Sequence, residues 1–418
     1  MKRRHFLLVL AAALSLTGCP QKGDTPGGGE SGNGGDDYAV FVGGDGVFSP
    51  DFVRLAEGAA EDAYIITPYV NDTSVPAIGA FSKAFNERFK QDPDAWAALT
   101  YDAVGTMALA IETSIAKAGK PDRTAVKDAL AAMTSADNGY VGVTGVTFFD
   151  ENGDCKKPAL ISIVQTGKLV KAKVQMAEGS AAPTLGAPAS GGKKAEGEPI
   201  LIGVAGPFTG VAQKYGEMIK AGAQLKMDEL NAAGGVGGRP LEIKWGDDEG
   251  NNSKAANVAN DYIANPDLVA VVGHFNSTCS LAAKPVYKNA GIPALSPGST
   301  NVNVCQGSEW YFRNLYRDDF QGFTVAEFIK NKLNKKKVVV FFDNDDYGTG
   351  LKTFFAQRAK ELGLEVAKEI PYNRESTTDF TPLVTNAKCE QPEVIFVAGL
   401  YNEASLIVKA CKKAGITN

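Results

Sequence analysis

The chain has 418 residues, of which 44% are hydrophobic and 22% charged, and a formal net charge of −5. That length carries two lobes with substantial cores. The acidic balance and the lack of a basic stripe exclude nucleic acid as a partner, because phosphates need clustered cations.

Lys2, Arg3 and Arg4 make a basic start, residues 6–14 an apolar run, and Leu16-Thr17-Gly18-Cys19 follows. An apolar run of about nine residues is too short to span a bilayer and reads as a secretory leader. Small residues ahead of a cysteine resemble a lipobox. The expectation is that residues 1–18 are removed as a lipoprotein signal peptide and that Cys19 is lipidated. The protein would then sit in the periplasm or cell envelope, held to the membrane by its lipid. Loss of Lys2, Arg3 and Arg4 takes the net charge from −5 to −8. Residues 19–37, rich in Gly, Ser, Asp and Pro, read as a flexible tether.

Beyond the tether, residues 40–44 and 64–69 are short apolar strand candidates. Ala97, Tyr101, Val104, Ala108, Ile111 and Ile115 recur at helical spacing and predict a long helix. Asn152-Gly153 and Thr166-Gly167 sit between strand-like runs and predict hairpin turns. Residues 176–198 are Ala, Gly, Pro, Ser and Lys with few large apolar side chains, a second linker that spans on the order of 75 Å when extended. Strand candidates at 200–205, 241–245, 269–273, 338–342 and 394–399 then alternate with helical patterns. Ile219, Ala223, Met227 and Leu230 carry the first of these, closed by Gly234-Gly235-Val236-Gly237-Gly238. Strands without clean alternation, separated by helices, predict mostly parallel sheets covered on both faces.

Without Cys19 the cysteines are Cys155, Cys279, Cys305, Cys389 and Cys411, an odd set for an exported protein. Two disulfides are expected, Cys279–Cys305 and Cys389–Cys411. Cys389 precedes a strand and Cys411 ends the following helix, which places both at one edge of a β-α unit. The alternative is that all are free buried thiols.

Ligands of parallel sheets sit beyond the C-terminal strand ends, near helix N-termini. The loops there read Gly43-Gly44-Asp45-Gly46, Gly206-Pro207-Phe208-Thr209-Gly210, Gly273-His274-Phe275-Asn276-Ser277-Thr278, Ser296-Pro297-Gly298-Ser299-Thr300, residues 343–348 and Gly399-Leu400-Tyr401-Asn402. Hydroxyls and helix-start N–H groups take a carboxylate, an acid and a carbonyl take an ammonium, and aromatics enclose an apolar side chain. The mixture suits an amino acid.

At this point the ordered motifs resemble a known family. Residues 199–418 are similar to the N-terminal two-thirds of periplasmic leucine/isoleucine/valine-binding proteins of ABC transporters. The match runs through residues 203–210, Ala212-Gln213-Lys214-Tyr215-Gly216, residues 231–241, Asp247-Asp248, Gly273-His274 with Ser277, residues 296–300 and Asp345-Asp346-Tyr347-Gly348. Residues 38–175 resemble the remaining third, through residues 43–46, residues 94–103 with Trp96 and Tyr101, and residues 149–154. The third that normally comes last stands first, so the resemblance implies a circularly permuted chain whose linker at 176–198 joins the old ends. The alternative is a pair of partial domains completed by swapping with a second chain.

The resemblance implies an α/β, two-lobed type I periplasmic-binding-protein fold, each lobe a mostly parallel sheet flanked by helices. Lobe 1 would comprise 199–322 with 77–134, and lobe 2 would comprise 323–418 with 38–76 and 137–175. Carried over singly, Ser277 and Thr300 would hold the ligand carboxylate, and Asp45 with the Gly298 carbonyl the ammonium. Tyr215, Trp96, Tyr347, Leu400, Tyr401 and Phe275 would line the side-chain pocket. Leu400 departs from the tyrosine of the family pattern. Each assignment competes with a bland one: Asp45 as a turn residue, Ser277 and Thr300 as helix caps, Trp96 and Phe275 as core, His274 as a structural group.

The implied function is capture of an aliphatic amino acid by cleft closure for delivery to ABC permease subunits, by a monomer without cofactor or metal. A sensor of amino acids or amides without a transport role is the alternative. An enzyme is not expected. No Gly-x-Ser-x-Gly elbow is present, the chain past its leader has only His274, and the run from Gly186 to Lys193 lies in a linker with the wrong spacing for a phosphate loop.

Overall fold

The computed structural model describes residues 38–176 and 194–418. The lipidation call at Cys19, the tether and most of the 176–198 linker lie outside these residues. In chain order the first elements are β1 (Val40–Gly43), a 3₁₀ turn (Asp45–Val47), α1 (Pro50–Ala56) and β2 (Tyr64–Thr67). Then follow α2 (Pro76–Phe89), α3 (Ala95–Ala118), α4 (Arg123–Ala131), the β3–β4 hairpin (Tyr140–Gly142, Gly145–Thr147) and the β5–β6 hairpin (Leu160–Gln165, Lys168–Lys171). After the linker come β7 (Ile200–Gly206), α5 (Gln213–Ala232), β8 (Leu241–Asp247), α6 (Asn252–Ile263), β9 (Leu268–Val272), α7 (Ser277–Ala290), β10 (Ala294–Ser296) and β11 (Tyr311–Arg313). The chain ends through α8 (Asp318–Asn331), β12 (Lys337–Asp343), α9 (Asp346–Glu361), β13 (Glu365–Tyr372), α10 (Thr381–Lys388), β14 (Val394–Ala398) and α11 (Tyr401–Lys413).

These strands form two main sheets. The five-stranded sheet of lobe 1 has the order β11-β10-β9-β7-β8, parallel throughout. The seven-stranded sheet of lobe 2 has the order β13-β12-β14-β1-β2-β5-β6 and turns antiparallel only at β2–β5–β6. Continuous apolar runs take the central places: every residue of β9 and of β14 is buried, as a strand covered on both faces requires. Charged, alternating β13 and Lys-bearing β6 lie at the edges, where exposed lysine discourages further strand pairing. Among the described residues no helix is long and apolar enough to cross a membrane.

The first and last strands are neighbours. Val40 to Gly43 of β1 pair in parallel with Val394 to Val397 of β14, and the Ala39 N–H donates to the Ile416 carbonyl at 2.7 Å. The Thr166-Gly167 turn forms as expected. Gln165 pairs with Lys168, and both turn residues have positive φ, 51° and 71°, the geometry of a tight hairpin turn. The β3–β4 hairpin hangs on α3, where Asp102 accepts from Val143 N and Thr144 N at 2.9 and 2.8 Å. It therefore packs with lobe 1. Helix α8 begins at Asp318 and packs on α9 of lobe 2.

Crossovers at 68–75, 148–159 and 314–317 connect the lobes. Asp154 ties two of them together. It accepts from Arg313 Nε at 2.7 Å and from Arg317 Nη1 at 2.9 Å, with Arg313 fully buried.

The expected disulfides are corrected. Cys279, Cys305 and Cys411 are free buried thiols. Cys279 lies in the first turn of α7 within the fields of Asp248, Arg374 and Asp345, whereas Cys305 lies against Arg313 and Asp154; the two face different neighbourhoods. Cys411 is packed into the core beneath α11, while Cys389 is exposed at the C-cap of α10. Cys389 is therefore not joined to Cys411. Burial pushes the Cys305 and Cys411 thiols up to about 12, so they stay protonated and unreactive.

Candidate functional site

Asp45 opens the 3₁₀ turn that follows β1, at the C-terminal edge of the lobe 2 sheet. Its backbone N–H donates to Gln321 Oε1 at 3.1 Å, and Tyr347 Oη donates to its Oδ1 at 2.8 Å. The same Tyr347 hydroxyl accepts from Gly46 N at 3.0 Å, so one side chain fixes both the loop and its acid. Gly46 is required by close approach: a Cβ there would lie 2.7 Å from the Gly399 carbonyl. Asp45 is 1% exposed, and its Oδ2 has no hydrogen-bond partner among the described residues. Burial pushes this carboxyl up to about 6 against the pull of its hydrogen bonds. A solvated turn aspartate would show neither feature.

The facing wall comes from lobe 1. Asn276, not Ser277, is the N-cap of α7, and it makes no side-chain cap bond. Ser277 is the first helical residue, and its Oγ accepts from Asn301 N at 3.2 Å. Gly298 packs flat on Phe275, with no room for a Cβ. Thr300 is 1% exposed and its Oγ1 is without a partner among the described residues. Beneath the loop Ser296 donates to the His274 carbonyl at 2.7 Å, and Ser299 to the Phe275 carbonyl at 2.8 Å. His274 lies lower still, between Asp248 at 2.7 Å and the Tyr287 hydroxyl at 2.9 Å, which is a structural place.

Aromatic rings close the remaining side. Trp96 sits in the first turn of α3, which Asp94 caps by accepting from Trp96 N and Ala97 N at 2.9 and 3.0 Å. Its indole N–H donates to the Phe48 carbonyl at 3.0 Å, across the lobes. Its ring meets Phe275 edge-on at 4.9 Å and Tyr215 at 5.9 Å. Tyr215 stacks on Phe275 at 4.8 Å and meets Tyr401 edge-on at 5.0 Å. Such pairs add about 1 kcal/mol each to the area they bury. The Tyr215 hydroxyl donates to the Gly46 carbonyl and accepts from Tyr401 N at 3.1 Å, so a lobe 1 side chain is bonded to two loops of lobe 2. Leu400 packs against the same glycine. The cleft is closed on itself at this point.

The ten residues read from the sequence lie in this region. The sequence reading missed others in it. Asp318 and Tyr316 are fully or nearly fully buried, Asp318 beside the Thr300 side chain and Tyr316 beside the Asp45 carboxyl. Gln321 spans the gap to Asp45 and leaves its Nε2 unpartnered. Farther along the edge Arg374 reaches Asp343 at 3.3 Å and Asp345 at 3.0 Å. Burial, then the charge of Asp345, pushes Asp343 up to about 7. A separate cavity of about 720 Å³ opens beyond Phe48, lined by Asp51, Tyr69, Lys168 and Lys214 among others, and takes in none of the predicted ligand residues.

The periplasmic binding protein model matches residues 30–168 and 199–418. The chain belongs to the periplasmic binding protein family. Its fold is the two-lobed type I fold of that family. An amino acid binding protein of Pseudomonas aeruginosa is 38% identical over 221 residues, covering 52% of this chain and 58% of that protein. A Leu/Ile/Val-binding protein homolog of Brucella abortus is 31% identical, with the same coverage of both chains. Among solved structures, a leucine binding protein from Thermotoga maritima matches with a TM-score of 0.50 and 32% identity, covering 52% of this chain and 61% of that one. A branched-chain amino acid transporter substrate binding protein from Streptococcus pneumoniae, in complex with isoleucine, matches with a TM-score of 0.50 and 33% identity, covering 53% and 63%. The chain thus spans 58% to 63% of the length of these relatives, under two-thirds. Membership of this family implies an extracytoplasmic location.

Proposed function

We propose that the protein is a lipoprotein that captures aliphatic, branched-chain amino acids by cleft closure and hands them to an ABC importer. The observation that carries this reading is the buried Asp45 carboxyl, whose Oδ2 lacks a hydrogen-bond partner among the described residues, in a fold that also brings Tyr215, Trp96 and Phe275 into one aromatic wall. Buried polar atoms need partners, and an α-ammonium and α-carboxylate supply them. In this reading Asp45 and the Gly298 carbonyl hold the ammonium. Thr300, Ser277 and the free N–H groups at the start of α7 hold the carboxylate. Trp96, Tyr215, Phe275, Leu400 and Tyr401 enclose the side chain, and Tyr347 orients Asp45. The names of the matched relatives favour transport over sensing. The basic start, short apolar run and Cys19 support a lipid anchor.

We also infer that the chain is a circular permutant and a monomer. Support comes from the parallel pairing of β1 with β14 and from the bond between Ala39 and Ile416. A chain reordered as 199–418 followed directly by 38–175 should fold and bind the same ligand; failure to do so would remove this reading. Light scattering on the native chain separates the monomer from a swapped dimer.

The test of function is a melting-temperature screen against all amino acids and small amides. A ligand at a hundredfold excess over its Kd adds about 2.7 kcal/mol of stability. Leucine, isoleucine or valine should give the largest shifts. If these three fail and an amide or urea succeeds, the specificity is wrong.

A further inference from the structure

Parallel strands put their amino ends on one edge of a sheet, and the helices between them return to that edge. In lobe 2 backbone bonds tie this edge into one row. Val40 N donates to the Glu393 carbonyl at 2.9 Å, Glu393 N to the Lys337 carbonyl at 2.9 Å, and Glu365 N to the Lys336 carbonyl at 2.8 Å. The helices end beside it. Lys332 is the C-cap of α8, Lys388 closes α10, and Lys412 and Lys413 close α11. Lys335 N donates back to the Ile329 carbonyl of α8 at 3.1 Å, and Lys388 Nζ to the Ala414 carbonyl just past α11 at 2.7 Å. Lysines 332, 335, 336, 388, 412 and 413, scattered in sequence, are thus gathered by the fold at the base of lobe 2. Lys335 is half-buried and the other five are exposed. None of the six is in an ion pair among the described residues. The neighbouring acids are engaged elsewhere: Glu365 by Lys337 at 3.6 Å, Glu390 by Lys368 at 3.3 Å, Glu57 by Lys409 at 3.0 Å, and Glu393 by the N–H groups of Lys336 and Lys337. The chain enters the lobe at this same edge, where Tyr38 is 45% exposed and Ala39 is bonded to Ile416.

A lysine in the last turn of a helix complements the macrodipole, but Lys335 and Lys336 lie past the α8 cap and have no such use. On a chain of net charge −5, this end carries an uncompensated positive field. We propose that the base of lobe 2 is a docking surface for an anionic phospholipid membrane. The lysines sit at the ends of helices on both faces of a sheet, so they spread over a broad end of the lobe and do not converge on a pocket. A plane of headgroup phosphates meets them all at once, whereas a small anion meets one or two. Each lysine within a Debye length of an anionic surface adds about fivefold to its affinity. The orientation follows from the strands. The seven residues of β12 put about 23 Å between this edge and the carboxyl edge that carries Asp45. A docked protein therefore turns its cleft away from the membrane and leaves lobe 1 free to move. The lipid anchor proposed above would draw the same edge to the same surface, lipid and basic patch acting as two signals. The patch itself does not depend on that anchor.

The experiment is co-sedimentation with vesicles of the full chain carrying Cys19→Ser, which cannot be lipidated. One vesicle is an equal mixture of phosphatidylglycerol and phosphatidylcholine, the other phosphatidylcholine alone. At low ionic strength the mixed vesicle should bind the protein and the neutral one should not. Binding should vanish at about 1 M salt, where the Debye length falls to about 3 Å. Two triple variants, Lys332→Gln with Lys335→Gln and Lys336→Gln, and Lys388→Gln with Lys412→Gln and Lys413→Gln, should each weaken binding by about 100-fold, at about fivefold per lysine. The two sets are independent, and circular dichroism checks that each folds. A control triple on exposed lysines of lobe 1, Lys220→Gln with Lys254→Gln and Lys288→Gln, removes the same charge and should change binding by less than about threefold. Equal binding to both vesicles overturns the proposal, as does a control triple that loses as much as the other two. Neither a lipid anchor nor an amino acid enters the assay, so its failure leaves the ligand reading standing, and failure of the amino-acid screen leaves this surface standing.

Discussion

Replacing Asp45 by asparagine should move stability and affinity in opposite directions. In the ligand-free protein burial raises this carboxyl from 3.8 to about 6. A shift of about two pKa units corresponds to about 3 kcal/mol. The sign follows from linkage: the acid binds its proton more tightly folded than unfolded, so stability is full below the unfolded value and is lost as pH rises through the folded one. At pH 7 the full cost is present. Asparagine removes the charge and keeps an oxygen for the Tyr347 hydroxyl. The empty variant should therefore melt about 6 °C higher, at about 2 °C per kcal/mol for a chain of this size. Leucine binding should meanwhile weaken by about 100-fold or more, because a buried ammonium left without its counter-charge costs about 3 kcal/mol or more. Scanning calorimetry without ligand and titration calorimetry with leucine measure the two effects. A variant that melts lower and binds leucine unchanged would refute both the burial argument and the ligand contact.

Leucine affinity in the wild type should fall as pH drops through about 6, by up to about tenfold per unit, since the ammonium needs Asp45 ionised. A titration series from pH 5 to 8 reads this, and Asp45→Asn should lose the step near 6. Tyr215→Phe removes the bonds to Gly46 and Tyr401 that join the lobes; it should raise the leucine Kd about 10-fold, mainly through faster dissociation in stopped flow, with little change in the melting of either lobe. Asp154→Ala leaves Arg313 buried without its carboxylate and should lower stability by about 3 to 5 kcal/mol in urea unfolding.

The alternation of strand and helix was legible because buried central strands read as continuous apolar runs. Residues 394–398 and 268–272 are examples. The short strands Ala294–Ser296 and Tyr311–Arg313 were not, because three residues carry no period. Glu365–Tyr372 was hidden by its charges, which an edge strand tolerates. Asp45 stood out because an acid between glycines at a strand end has few structural uses. Asp318 did not, since an acid at a helix start satisfies ordinary rules, and only its complete burial distinguishes it. The disulfides failed because cysteine spacing says nothing of which way each side chain faces. Trp96 was divided between core and pocket; it is buried like core, with its ring against Phe275 and Tyr215.

The adjacency of β1 and β14 has a consequence for the order of assembly. Val40 can complete its pairing only when Val394 is present, so the middle of the larger sheet waits for nearly the whole polypeptide. Contacts so distant in sequence slow folding. Lobe 1 gathers its sheet from residues 200–313 alone and is free to form earlier. Asp45, seated just after β1, would be exposed to solvent as an ordinary ionised side chain until the final strand docks. Ligand recognition would then be among the last properties the newly made chain acquires.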